Sequence, residues 1–144
     1  MPKTTSKAGV IILDDGSYAP QTISKDCLTY TLNYKQNAED VTGFGEGSQN
    51  FTPGQLVTDV SIDMLWNTLA TTGAYTVIKS IMAAQLAGSF AGCTLSIQPE
   101  STGLKWVGEV MCEGFTITGS AQGGAISLGT VNFKVFGATA PTIA

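Results

Sequence analysis

The sequence predicts a mainly β domain with a single α-helix on one flank. Three observations carry this. Leu28–Tyr34 and Asp59–Trp66 alternate apolar and polar residues, the period of a strand with one face inside. Only one stretch, near 73–87, carries apolar residues at helical spacing. The last third of the chain reads as successive hairpins separated by turn residues.

In chain order, Val10-Ile11-Ile12-Leu13 is a short apolar run followed by Asp15-Gly16 and Pro20, so it reads as a buried strand and a turn. In the next strand Leu28, Tyr30, Leu32 and Tyr34 take the inner side, and Thr29, Thr31 and Asn33 the outer. Residues 36–55 lose all periodicity and carry Gly43, Gly45, Gly47, Pro53 and Gly54. They read as one long loop, and loops beyond about 12–15 residues are uncommon and often functional.

In the strand that follows, Val60, Ile62, Met64 and Trp66 alternate with Asp59, Ser61, Asp63 and Leu65. Ala74, Tyr75, Ile78, Met82 and Leu86, with Ile81, form the helical stripe, and Gly88 reads as its stop. One stripe means that the helix packs on a sheet. Cys93–Gln98 leads through the turn cluster 99–103 into a strand at Leu104–Thr118. The Gly/Ser loop Gly119–Gly124 joins that strand to Ile126–Phe136. The tail, 137–144, is small and expected to be loosely held. There is no repeat and no second domain, so 1–144 reads as one unit.

Two of these strands have mixed faces. Trp106, Val110 and Cys112 lie on one side, and Lys105, Glu109 and Glu113 share the other with Val107 and Met111. In Ile126–Phe136 the apolar parity changes near Gly129, which a bulge would explain. A strand half apolar on both faces can be covered by its own core on one side and a neighbouring subunit on the other.

Composition narrows the function. Charged residues make up 12% of the chain, against ~25% in ordinary domains. Either part of the surface is covered by other protein, or the exterior is bland and Ser/Thr-rich. All seven cations are Lys, against eleven carboxylates, for a net charge of −4. Without the bidentate fork of Arg, an acidic chain is poorly equipped to grip phosphates, although DNA passing along such a surface would not stick. With no His, Ser-His and Cys-His nucleophile pairs and imidazole metal sites are excluded.

Glu109 and Glu113, like Asp59 and Asp63, would lie roughly 13 Å apart on a regular strand, too far for paired carboxylate chemistry. Gly43-Phe44-Gly45-Glu46-Gly47 has the glycines of a dinucleotide fingerprint but the wrong spacing, and no helix follows. No enzyme activity, cofactor or metal is expected. Cys27, Cys93 and Cys112 are odd in number and widely spaced; they read as buried thiols, with a cross-link between subunits as the alternative. The start, Met1–Lys7, lacks the apolar segment of a signal peptide, and the apolar runs are too short to span a membrane, so assembly in the cytoplasm is expected.

Asp40-Val41-Thr42-Gly43-Phe44-Gly45, then Phe51-Thr52-Pro53-Gly54, then Asp59-Val60-Ser61-Ile62-Asp63-Met64 resemble a pattern of the major tail tube proteins of tailed phages. The order of elements along the chain resembles theirs as well. The resemblance implies a small β-sandwich or open barrel with a flanking helix, a fold shared with type VI secretion tubes. It implies hexameric rings whose sheets join around a channel and stack into a tube that conducts DNA during ejection.

Asp40, Thr42, Gly43, Phe44, Gly45, Glu46, Phe51, Pro53 and Gly54 would then form an inter-ring loop. Thr29, Thr31, Asn33, Asp59, Ser61, Asp63, Glu109 and Glu113 would be candidates for the channel lining. Partners would be further copies of the chain, and tape measure, sheath or tail terminator proteins, within the virion. The absence of Arg departs from the family, and the short C-terminus implies a plain tube exterior. The alternatives are another phage part on a related fold (decoration, tail completion or baseplate) and a monomeric β-sandwich module that binds a sugar or peptide.

Overall fold

The computed structural model describes residues 9–100, 102–137 and 140–143. The strands are β1 (Val10–Asp14), β2 (Pro20–Thr22), β3 (Cys27–Asp40), β4 (Phe51–Leu65), β5 (Cys93–Gln98), β6 (Trp106–Gly114), β7 (Ser127–Val135) and β8 (Thr142–Ile143). The helix α1 spans Ala74–Leu86. The expected readings of Met1–Lys7 and of Ser101 in the turn cluster fall outside the described residues, as do residues 138, 139 and 144 of the tail.

All eight strands join one antiparallel sheet in the order β2-β1-β5-β6-β7-β4-β3, with β8 beside β6. The sheet does not close. Its two ends nevertheless face each other across a cleft lined by Gly9 and Ile11 on one side and Cys27–Tyr30 on the other. The expected mainly β, open-barrel class with one flanking helix is what forms.

One core occupies the inside of this curl. Ile11 and Leu13 of β1, Val60, Ile62 and Met64 of β4, Leu95 and Ile97 of β5, and Val131 and Phe133 of β7 meet Val77, Ile78 and Ile81 of α1. The helix stripe differs in part from the periodicity: Val77 is buried, while Leu86 lies in the last turn and is exposed. Gln85 fixes the helix end to the sheet. Its side-chain amide donates to the Cys112 carbonyl (2.9 Å), and the Cys112 N–H donates back to Gln85 Oε1 (2.8 Å).

At the other end of α1, Asp26 is a buried staple. It accepts from Asn67 Nδ2 at both oxygens (3.1 and 3.0 Å) and from the Ala74 N–H of the first helical turn (3.2 Å). A carboxylate satisfies helix donors that have no partner within the helix. Trp66 stacks on Tyr75 (4.1 Å), which meets Phe115 edge-on (5.6 Å), covering this end. Gly16 lets the β1–β2 turn touch the helix, since a Cβ there would lie 2.3 Å from the Ser80 carbonyl oxygen.

Bulges decide which residues face inward. A register shift between Cys27 and Thr29 displaces Leu28 from the inner row. Leu28 is 63% exposed, and Cys27, Tyr30 and Leu32 pack on the core instead. A second shift beside Gly129 (φ 64°) lets both Leu128 and Val131 face inward, as the parity change suggested. In β6, Trp106, Val110 and Cys112 are buried as the mixed pattern indicated, but the strand ends at Gly114; Thr118 makes only an isolated bridge to Ser127.

Two expectations change. Residues 36–55 are not one loop. β3 continues to Asp40 and β4 starts at Phe51, with Ala38↔Pro53, Glu39↔Thr52 and Asp40↔Phe51 paired, so the connection is 41–50. Cross-strand backbone pairing overrides the missing side-chain period, because the strands here face solvent on both sides. The tail is also not loose throughout: Thr142 and Ile143 pair with Val107 and Trp106, and Pro141 is buried. β8 continues the line of β7 along β6.

Replacing Asp26 by Ala should cost about 2 kcal/mol or more, because the Ala74 N–H and Asn67 lose a charged acceptor; Asp26→Asn should cost less. The urea midpoint, at unchanged slope, measures both. Burial pushes the Cys27 and Cys93 thiols up to about 12 and Cys112 up to about 11. At pH 8 the folded protein should therefore react with a thiol reagent far more slowly than the urea-unfolded chain, which should titrate all three. The raised thiols contribute stability that is complete below the unfolded value near 9 and lost as pH rises toward 12. Melts at pH 8 and 11 check the sign.

Candidate functional site

Two surface features stand out: a polar face on the outer side of the sheet and an arm that leaves it. The polar face follows from alternation. On β3, β4 and β7, residues that are not inward point to the same outer side. Register then sets them in rungs: Thr29–Asp63–Thr130, Thr31–Ser61–Asn132 and Asn33–Asp59–Lys134.

Side-chain bonds tie the β4 and β7 members of each rung. Thr130 Oγ1 donates to Asp63 Oδ1 (2.6 Å), and Ser61 Oγ donates to Asn132 Oδ1 (2.8 Å). Lys134 Nζ donates to Asp59 Oδ1 (2.6 Å) and stands 3.9 Å from Glu113 Oε1. The Asp59 bond and charge, with Glu113, hold the Lys134 ammonium above its usual range. A further rung, Lys35↔Val57, lies toward the arm.

The structure thus brings together seven of the eight residues read as channel-lining candidates. Glu109 is elsewhere. It accepts from Thr94 Oγ1 (2.5 Å) where β6 pairs with β5. There it adds repulsion to Asp14, whose carboxyl burial pushes above the usual range while the Thr94 N–H bond (3.3 Å) pulls it back. The rungs carry three carboxylates, counting Glu113, against Lys134 and Lys35, so the face is polar and only mildly acidic. Thr130, Asn132 and Lys134 were missed from the sequence. Their alternation with Val131, Phe133 and Val135 after Gly129 was the available signal.

The arm comes from the length of β3 and β4. β7 accompanies β4 only as far as the Asp59↔Lys134 pair. Beyond it Tyr34–Asp40 and Phe51–Thr58 pair only with each other, a two-stranded ribbon extending about 20 Å at ~3.3 Å per residue. Pro53 and Gly54, read as part of the loop, instead mark a shift in register within the ribbon. A Cβ at Gly54 would lie 2.8 Å from Glu39 Oε1, and Gln36 Nε2 donates to the Gly54 carbonyl (3.0 Å).

The tip is ordered by local bonds. Asp40 Oδ1 accepts from the Thr42 N–H (2.9 Å) and hydroxyl (2.5 Å), which hold its carboxyl below the usual range. Thr42 Oγ1 accepts from the Asn50 N–H (2.8 Å), and Asn50 Nδ2 donates to Glu46. The glycines at 43, 45 and 47 surround Phe44, which is fully exposed; Phe51 and Val41 are each 56% exposed. All nine residues read as an inter-ring loop therefore lie on this arm. Among the described residues no group of three or more Cys, Asp or Glu side chains is placed to hold a metal, and no helix is long and apolar enough to cross a membrane.

No family model and no curated protein matches the chain. Solved structures do match over nearly the whole length. A chain in the virion of a native gene transfer agent particle has a TM-score of 0.69 at 16% identity, covering 99% of both chains. One in the tail of an empty gene transfer agent particle, refined helically with C6 symmetry, has 0.67 at 20%, again over 99% of both. One in the six-fold symmetrised baseplate of the anti-feeding prophage has 0.64 at 8%, over 100% of this chain and 97% of that one. The chain therefore has the fold used by components of tail-like particles.

Proposed function

We propose that the chain is the tube-forming subunit of a phage tail or tail-like particle. Six copies form a ring, rings stack into a tube, and DNA passes through the channel. The observation that carries this reading is the unsupported arm. An isolated two-stranded ribbon is marginal in water, and this one exposes Val41, Phe44, Phe51 and Leu56. It gains stability when another copy covers it.

The sheet edges support the same reading. β2 is three residues long and begins with Pro20, which blunts it, whereas β3 presents fourteen residues with one side unpaired. An edge of that length invites pairing, and extension of the sheet into the next subunit would use it. The sixfold symmetry of the particles that hold two of the fold neighbours supports rings of six. The polar rungs suit a channel wall: every hydroxyl or charge in the bonds across β4 and β7 already has a partner, and Lys134 is held by Asp59 and Glu113. Tape measure, terminator and, in a contractile particle, sheath proteins would be its partners in the virion. A baseplate component is the second reading, favoured by the similarity to a chain in the anti-feeding prophage baseplate.

Electron microscopy of the purified protein should show rings about one subunit thick and tubes of variable length. A fixed small oligomer that never elongates would favour the baseplate reading, and a 14.9 kDa monomer at every concentration would sink both. Deleting Gly43–Ser48, which lie within the connection 41–50, should leave the circular dichroism spectrum unchanged and stop tube growth.

A further inference from the structure

We propose that the arm tip of one copy seats Phe44 in a cleft at the arm base of another, so that copies join tip to base in an open series. This rests on the reading of the arm as an assembly element and names its receptor. The cleft, of about 390 Å³, lies between Leu56 and Thr58 of β4, Val135 of β7, and Ala140 and Pro141 before β8. Every described residue lining it is uncharged. It continues the inner face of the sheet past Val60, beyond the core side chains that α1 packs against.

Thr58 marks the cleft as incomplete. It is 7% exposed, in the inward row of β4, and among the described residues its Oγ1 has no hydrogen-bond partner. Buried hydroxyls are nearly always satisfied, so a polar group that enters the cleft finds a hydrogen-bonding site at Thr58.

The arm tip has the complementary features. Phe44 is fully exposed, and side-chain positions at Gly45 and Gly47 meet nothing within 4 Å. An aromatic anchor thus stands on a tip that has open space beside Gly45 and Gly47. The tip cannot use its own cleft. From Leu56 to Phe51 the paired ribbon already extends about 17 Å away from it, and residues 41–50 lie further out. The contact is therefore between copies. A knob and a pocket on different parts of one molecule make a heterologous contact, which runs open wherever its rotation does not close a ring, the geometry a tube of indefinite length needs along its axis.

The test adds one cysteine to the native three in each of two preparations, Gly47→Cys and Ala140→Cys. Both sites are open, Phe44 is kept, and the native thiols are buried or half-buried with raised pKa values. Mild oxidation of the mixture should give a disulfide-linked dimer about tenfold or more above either preparation alone. Adding Phe44→Ser to the Gly47→Cys chain should reduce it by a similar factor, while Phe44→Trp should retain it. Rings or tubes by electron microscopy with no mixed dimer, or with Gly47→Cys linking only to itself, would overturn the docking site and leave the tube reading standing. Absence of both assemblies and mixed dimers would overturn both.

Discussion

Backbone pairing between β3 and β4 constrains everything else in the molecule. The two strands share one ladder from Cys27↔Met64 to Asp40↔Phe51, but only the first half of it is supported by the rest of the sheet. There Val60, Ile62 and Met64 bury one side, and the outer side carries the polar rungs. Past Asp59 the same hydrogen bonds continue without a core beneath them. A ribbon held by its ladder alone buries little apolar area, so its exposed aromatics remain available to another molecule. The core half and the arm belong to one continuous ladder.

The electrostatics follow from the same register. Because the rungs are set by backbone pairing, Asp59 meets Lys134 and Asp63 meets Thr130, and the β4 and β7 side chains of the outer face pair with one another. A surface whose cations are few, with Lys134 held by Asp59, offers a polyanion little to hold. The low proportion of charge in the chain thus has a structural counterpart: the face is polar through hydroxyls and amides more than through charge.

Much of the fold was legible. Strict alternation marked Val60, Ile62 and Met64, and the helical stripe marked Ile78 and Ile81, because burial of one face selects residues at that period. Leu28 was misread because a bulge consumes one residue and reverses the parity; nothing in Leu28-Thr29-Tyr30 signals it. The arm was legible only as an anomaly. Strands exposed on both faces have no inside, so their residues carry no period, and Pro53-Gly54 resembles a turn as readily as a register shift. On the polar face, the β3 and β4 contributions could be read from alternation, but Lys134 and Glu113 meet Asp59 only through pairings that span most of the chain.

By itself the sequence determined the class of the protein: a β-rich, helix-flanked domain, poor in charge and without the imidazoles of catalysis, whose inner faces were written in its periodicities. Tertiary structure alone decided the strand order, the open curl of the sheet, the length of the arm and the cleft at its base. These depend on which strands pair and where each ladder stops, and backbone hydrogen bonds, which any side chain but proline permits, leave almost no trace in the residues that make them.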